Sequence, residues 1–143
     1  SISYFTIMRE KKMPVLVMFI DLDRLKYIND TFGHEYGDFA IISIAKAMLK
    51  HCDADAIAAR TGGDEFIVLE GAKDEESGRV LAQKIRTELS KTQRAMQLPF
   101  DLSASIGAVV AHPGEENVLE SYVKRAEMLM YEEKAEKKVS RDS

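Results

Sequence analysis

The strongest constraint on the fold is a run of eight residues, VLVMFIDL at positions 15–22, in which only Asp21 is polar. The run is rich in β-branched and aromatic side chains, which is typical of a central strand that is buried on both faces. Its longest apolar stretch, Val15 to Ile20, is far shorter than the roughly 20 residues that span a bilayer. Asp21 and Asp23 are expected where this strand leaves the core.

The rest of the chain predicts three further strands and four helices, in the order β-α-α-β-β-α-β-α. Helices are predicted over Arg24–Thr31, from Asp38 onward, from about Leu81 to Gln93 and from Leu119, and strands over Ala56–Thr61, Glu65–Glu70 and Leu98–Ala111. This order places the helices against a mixed sheet and predicts a ferredoxin-like α/β (α+β) sandwich.

Composition narrows the class of protein. The 143 residues fit one domain. The 20 Lys and Arg against 24 Asp and Glu give a net charge of −4, which argues against a nucleic-acid-binding surface. One cysteine, Cys52, excludes an internal disulfide and a cysteine-rich zinc site. Because no signal peptide is recognisable at Ser1, we expect a soluble, cytoplasmic domain without membrane insertion.

Two acidic clusters carry the clearest chemical signal. Asp21 and Asp23 end the apolar run, and Asp64 and Glu65 follow the adjacent Gly62 and Gly63 between two predicted strands. A single Asp is usually a solvated residue, and adjacent glycines favour a tight hairpin turn with positive φ. If the two strands are neighbours, however, the carboxylates converge and need a cation. Mg²⁺ binds carboxylates together with substrate phosphates, so the pattern favours a metal–nucleotide site.

The motifs that contain these residues resemble those of a known family. Residues 60–66 (RTGGDEF) are similar to the signature of the GGDEF domain family, the diguanylate cyclases, and residues 21–30 (DLDRLKYIND) to its first motif. The resemblance extends to Gly33-His34, Gly37-Asp38, Ser105-Ile106-Gly107, Ala126, Tyr131 and Lys134. It covers about residues 15–134 and implies a single domain over 1–143 with a cyclase-palm-like sheet.

The resemblance also implies an activity, the condensation of two GTP into cyclic di-GMP and two pyrophosphates across a homodimer. It implies two Mg²⁺ ions, or Mn²⁺ in their place, held by Asp21, the Leu22 carbonyl, Asp64 and Glu65. Asp64, Glu65 and Lys26 are then catalytic, with Asp64 taking the proton of the attacking hydroxyl and Lys26 stabilising charge in the transition state. The expected substrate-binding residues are Asn29 and Asp38 on guanine, and His34, Gly62, Gly63, Lys134 and Lys138 around the nucleotide.

Structural alternatives remain open for several of these residues. His34 is equally compatible with a loop histidine. Lys134 and Lys138 are compatible with a solvated helix end, and Asp38 with an N-cap of a helix that begins at Phe39. For the whole chain, the alternative is a catalytically silent GTP-binding module that regulates an attached domain.

The sequence departs from the family pattern in four places, one of which is Leu25, where the family usually has Phe. Nothing before Met13 matches the family's opening segment, which suggests a missing upstream part, including a sensory or regulatory domain, and leaves membrane attachment of the full-length protein open. Asp53 and Ala56 stand where many members carry the Arg and Asp of an inhibitory site. Lys137-Lys138-Val139 stand where the family's last helix ends in Gly-Arg-Asn. The charged residues 135–143 are expected to fray. In this family, upstream segments often hold two domains together. Because such a segment is expected to be missing, we expect the isolated chain to be mainly monomeric.

Overall fold

A computed structural model describes residues 8, 12–115 and 118–142 of the chain. Its elements are β1 (Val15–Leu22), α1 (Leu25–Phe32), α2 (His34–His51), β2 (Ile57–Arg60), β3 (Glu65–Gly71), α3 (Ser77–Ala95), β4 (Ala104–Ala111) and α4 (Leu119–Asp142). The predicted order of elements and the α/β sandwich are confirmed.

The four strands form one sheet in the order β2-β3-β1-β4. Within the described residues each neighbouring pair is antiparallel, so the expectation of a mixed sheet is corrected. The reason is the position of β3. Since β3 is antiparallel to both β1 and β2, those two strands run in the same direction, but β3 lies between them and they never pair.

Strand β1 forms the centre of the molecule because both of its faces are apolar. All eight of its residues are buried. Alternate side chains, from Leu16 to Leu22, pack into one core with helices α1, α2 and α3. The other set, Val15, Val17 and Phe19, packs with Tyr122, Ala126 and Met130 of helix α4. The period of two residues thus divides one strand between two hydrophobic layers.

Helix α4 lies unusually close to the edge strand β4. A Cβ atom built on Gly107 would lie 1.9 Å from the backbone oxygen of Ala126 and 2.6 Å from the backbone nitrogen of Met130. Only glycine allows this approach of helix to strand. At the same edge, the Ile106 amide donates a hydrogen bond to Glu133 Oε2 at 3.1 Å, which satisfies a strand donor that would otherwise face outward.

Several predicted boundaries differ from the structure. Helix α2 begins at His34, directly after Gly33 with its φ of 103°, so Asp38 lies inside the helix and is not its N-cap. Strand β4 begins at Ala104, and residues 98–103 form a connection that includes Pro99. Residues 135–142, expected to fray, are part of helix α4.

The family's opening segment, which is expected to be missing before Met13, falls on positions of which only Met8 and Lys12 are described. No helix in the described residues is both long enough and apolar enough to cross a membrane.

Candidate active site

Three carboxylates meet at the end of the central strand pair. In the antiparallel register of β1 and β3, Asp21 lies directly opposite Glu65, and Asp64 immediately precedes β3. The Leu22 amide donates a hydrogen bond of 3.0 Å to the Asp64 backbone oxygen, which joins the two segments. One ligand oxygen from each of Asp21, Asp64 and Glu65 lies within 4.8 Å of the others. The predicted convergence of the two acidic clusters is confirmed for these three residues.

Asp21 is the most unusual member of the cluster. The residue is 5% exposed, and its buried Oδ1 has no hydrogen-bond partner among the described residues. Burial raises the pKa of Asp21 to about 7, with Asp64 and Glu65 adding to the rise and Lys134 opposing it. A buried, unpartnered carboxylate oxygen beside two further carboxylates has the donor chemistry that a hard divalent cation requires. The residues therefore fit a magnesium site.

The turn that carries Asp64 is held by Arg60. Its guanidinium donates to the Gly62 oxygen at 3.1 Å and to the Gly63 oxygen at 2.6 Å.

Strands β2 and β3 pair as the predicted hairpin. The expectation of positive φ in its turn is wrong, since Gly33 and Gly114 alone have positive φ among the described glycines. The loop between β2 and β3 has four residues. A loop of this length does not need the positive-φ turns that two-residue hairpin loops require. A Cβ on Gly63 would meet nothing within 4 Å, which leaves open space beside its backbone.

Asp23, unlike Asp21 Oδ1, is fully hydrogen-bonded. Its carboxylate accepts hydrogen bonds from Ser103 at 2.7 Å, Ser105 at 2.6 Å and Lys137 at 2.7 Å. Burial alone would raise the pKa of Asp23, but these hydrogen bonds together outweigh it and hold that pKa below the ordinary value. Asp23 thus anchors helix α4 to the ends of β1 and β4 and is not part of the acidic cluster.

Lys134 connects helix α4 to the acidic cluster itself. Its ammonium donates to the Leu22 carbonyl oxygen at 3.2 Å and to Asp23 Oδ1 at 3.3 Å, and it lies 3.5 Å from Asp21 Oδ1. The solvated alternative for Lys134 is therefore wrong. Lys138, one turn further along the helix, is exposed.

The residues predicted to bind guanine lie around the junction of α1 and α2. Asn29 is half-buried and packs against Gly37, where a Cβ would lie 1.8 Å from Asn29 Oδ1. Asp38 is exposed in the next position of helix α2, and His34 is exposed at the start of that helix. The structure thus brings Asn29 beside the segment that contains Asp38.

Lys26 is not part of the acidic cluster in this structure. Its side chain is 89% exposed, and its ammonium forms an ion pair of 2.7 Å with Asp30, one turn further along α1. Any role on a phosphate requires this exposed pair to open, which costs little because solvent screens surface ion pairs.

Sequence reasoning assigned no role to Arg60, Lys137 or Glu133. Glu133 accepts two hydrogen bonds from Arg86 and forms an ion pair with Lys137 at 3.2 Å. A role for Arg60 could have been predicted, because Arg60 is the first residue of the 60–66 motif and lies close to its two glycines. No comparable local signal marks Lys137, since its partner Asp23 lies 114 residues away in sequence.

Comparisons with known proteins place this geometry in context. The family described as "Diguanylate cyclase, GGDEF domain" matches residues 4–140. The probable diguanylate cyclase DgcT of Escherichia coli is 36% identical over 127 residues, which are 87% of this chain and 28% of that protein. The diguanylate cyclase VdcA of Vibrio cholerae is 34% identical over 134 residues, which are 91% of this chain and 39% of that protein. The chain thus spans less than half the length of either relative.

Solved structures agree with the fold. The GGDEF domain of PA1120 from Pseudomonas aeruginosa has a TM-score of 0.77 at 28% identity, over 94% of this chain and 84% of that one. The active GGEEF domain of a diguanylate cyclase from Vibrio cholerae has a TM-score of 0.76 at 25% identity, over 91% of this chain and 82% of that one.

Proposed function

The chain belongs to the GGDEF family of diguanylate cyclase domains, and we propose that it condenses two GTP into cyclic di-GMP and two pyrophosphates. The observation that carries this proposal is the meeting of Asp21, Asp64 and Glu65 within 4.8 Å. Carboxylates this close repel one another unless a cation neutralises them. A site that demands a cation and opens beside a glycine turn suits a metal-bound triphosphate.

The proposed metal ligands are Asp21, the Leu22 carbonyl, Asp64 and Glu65. Two Mg²⁺ ions held there, or Mn²⁺ in their place, would neutralise charge on the phosphates and lower the pKa of the attacking 3′-hydroxyl. Asp64 is the proposed acceptor of the hydroxyl proton. It suits this task because it is half-buried in the turn between β2 and β3, beside Asp21 and Glu65.

The phosphates are proposed to contact the turn and helix α4. Gly62 and Gly63 present backbone without side chains, and the space beside Gly63 is open. Lys134 already reaches the site from α4, and exposed Lys138 lies one turn beyond it. Lys26 is proposed to leave Asp30 and to stabilise charge on the transferring phosphate.

The base is proposed to be read by Asn29 and Asp38, with His34 beside the nucleotide. A carboxylate accepts from the N1–H and the exocyclic amine of guanine, a pattern that adenine does not offer. The half-buried position of Asn29 against Gly37 supports a defined orientation for its amide.

Catalysis is proposed to need two copies of the domain. One site of this kind holds one GTP, whereas the product joins two guanylates, so each copy must present its 3′-hydroxyl to the other's α-phosphate. This is a two-fold symmetric arrangement. Attached sensory or regulatory domains that bring two copies together are proposed partners, because the chain covers only part of its relatives. Asp53 and Ala56 provide no guanidinium to hold product at the inhibitory position, so we propose no product binding there.

Product analysis tests the cyclase function. The chain is incubated with GTP and Mg²⁺, and the products are separated chromatographically. We expect cyclic di-GMP from the wild-type chain, and a loss of at least about a hundredfold in rate for Glu65→Gln, because removal of a charged ligand group at such a site costs several kcal/mol. Glu120→Gln is the matched control, since Glu120 is exposed in the first turn of α4 and should leave the rate unchanged.

The alternative function gives a different result in the same experiment. A catalytically silent module would bind GTP without forming cyclic di-GMP at any protein concentration. That outcome would contradict the cyclase proposal, whereas product formation that depends on Mg²⁺ and Glu65 would exclude the silent module.

A further inference from the structure

Lys134 occupies the position where a bound cation is expected. Its ammonium donates to the Leu22 carbonyl oxygen at 3.2 Å and lies 3.5 Å from Asp21 Oδ1, which are two of the four groups assigned to the metal. The side chain is 26% exposed, so the charge reaches from helix α4 into a largely enclosed place. An ammonium and a divalent cation cannot share these two oxygens without strong repulsion.

The contact with Asp21 is an ion pair without a hydrogen bond. Asp21 Oδ1 has no hydrogen-bond partner among the described residues, and at 3.5 Å the ammonium is beyond ordinary hydrogen-bond distance. Lys134 therefore compensates part of the charge of Asp21 without satisfying its buried oxygen. That oxygen remains available to a stronger cationic partner.

The surroundings of Lys134 allow it to leave at low cost. Its third partner, Asp23, also accepts hydrogen bonds from Lys137, Ser103 and Ser105 at 2.6–2.7 Å. Departure of Lys134 would consequently leave Asp23 well hydrogen-bonded. The flexible four-carbon stem of lysine lets its ammonium move to a new anion without displacement of the helix.

We propose that Lys134 is a tethered counter-ion that holds the metal position in the nucleotide-free protein and moves to the triphosphate when metal and nucleotide bind together. The metal alone must displace the ammonium into solvent, whereas a metal–triphosphate complex provides it with a new partner. Lys134 thereby couples metal binding to nucleotide binding. The second step depends on the proposed function, but the competition between Lys134 and a divalent cation does not.

Binding of Mn²⁺ without nucleotide tests this competition. Free Mn²⁺ is measured by electron paramagnetic resonance during titration of the wild-type chain and of Lys134→Met. The methionine keeps the length of the side chain and removes the charge. We expect Lys134→Met to bind Mn²⁺ roughly tenfold more tightly than wild type, equivalent to about 1.4 kcal/mol, and to bind a non-hydrolysable GTP analogue with Mg²⁺ more weakly. An increase in Mn²⁺ affinity together with a decrease in nucleotide affinity distinguishes a counter-ion from a residue that only supports the fold.

Lys137→Met is the matched control. It removes the same charge from the same helix and from the same carboxylate of Asp23, but Lys137 contacts neither Asp21 nor the Leu22 carbonyl. We expect its Mn²⁺ affinity to stay within about twofold of wild type. If circular dichroism shows that Lys137→Met is unfolded, Lys124→Met, at an exposed position of the same helix, replaces it as the control for net charge.

The outcomes separate this inference from the cyclase function. Mn²⁺ affinity of Lys134→Met equal to that of wild type or of the control, or no saturable Mn²⁺ binding by any variant, would overturn the role of Lys134. Tighter Mn²⁺ binding by Lys134→Met would support it even if the wild-type chain forms no cyclic di-GMP, a result that would contradict only the proposed activity.

Discussion

At the residue scale, the lack of a side chain at Gly37 determines where the Asn29 amide, a proposed guanine contact, can lie. Any Cβ at position 37 would lie 1.8 Å from Asn29 Oδ1 and 3.3 Å from Leu25 Cδ1. The first atom belongs to the end of a flexible side chain, which can move. A larger residue at position 37 is therefore expected to displace the Asn29 amide and to leave the backbone in place.

Gly37→Ala tests the orientation of Asn29. Helix α2 should tolerate alanine, which favours a helix over glycine by roughly 1 kcal/mol. We expect the thermal unfolding midpoint to stay near that of wild type, while affinity for GTP falls by about tenfold and selectivity over ATP narrows, because a mispaired polar contact costs about 1–3 kcal/mol.

Asn29→Ala is the comparison for Gly37→Ala and should weaken GTP binding to a similar extent. Calorimetric titration of both variants with GTP and ATP provides the measurement. Unchanged GTP selectivity in a folded Gly37→Ala variant would remove Asn29 from the guanine site.

At the element scale, helix α4 is attached to the sheet by glycine and by charge. Gly107 allows the close backbone approach, and buried Asp23 binds Lys137 while Glu133 binds Arg86. The pKa of Asp23 is held below its ordinary value of 3.8. The folded state thus binds a proton at Asp23 less readily than the unfolded state, so Asp23 contributes its full stabilisation above about pH 4 and loses it as the pH falls further.

Asp23→Asn is expected to lower the free energy of unfolding by roughly 2 kcal/mol near pH 7, because it weakens hydrogen bonds to a buried charge. The difference from wild type should shrink as the pH falls below about 4, because the unfolded chain then takes up a proton at Asp23 that the folded chain binds less readily. Urea denaturation at several pH values measures both effects, and Asp101→Asn, at an exposed position in the 98–103 connection, is the control. A difference between Asp23→Asn and wild type that does not change with pH would contradict the proposed charge network.

The elements differ in how far sequence could predict them. Strand β1 was predictable to the residue because its apolar run is long, and the meeting of Asp21 with Glu65 followed once β1 and β3 were neighbours. The predicted start of α2 lies four residues too late because Gly33 and Gly37 both have the character of loop residues, although Gly37 is buried inside the helix. The anchoring of α4 could not be predicted, since Lys137 resembles any solvated helix-end lysine until Asp23, 114 residues away, is brought beside it.

At the scale of the whole molecule, the account requires two domains to meet at their acidic sites. The net charge of −4 and the three converging carboxylates make this meeting unfavourable until cations are bound. Without attached domains that hold two copies together, the effective concentration of the partner equals the protein concentration. The isolated chain should therefore be mainly monomeric and weakly active.

The most direct test of this account is the initial rate of cyclic di-GMP formation over a wide range of protein concentration, at saturating GTP and Mg²⁺. We expect the rate to rise with roughly the square of protein concentration while monomers predominate, and fusion to a dimeric coiled coil to increase it strongly. A rate strictly proportional to protein concentration, together with a monomeric sedimentation profile, would contradict the proposal that two copies form the active site.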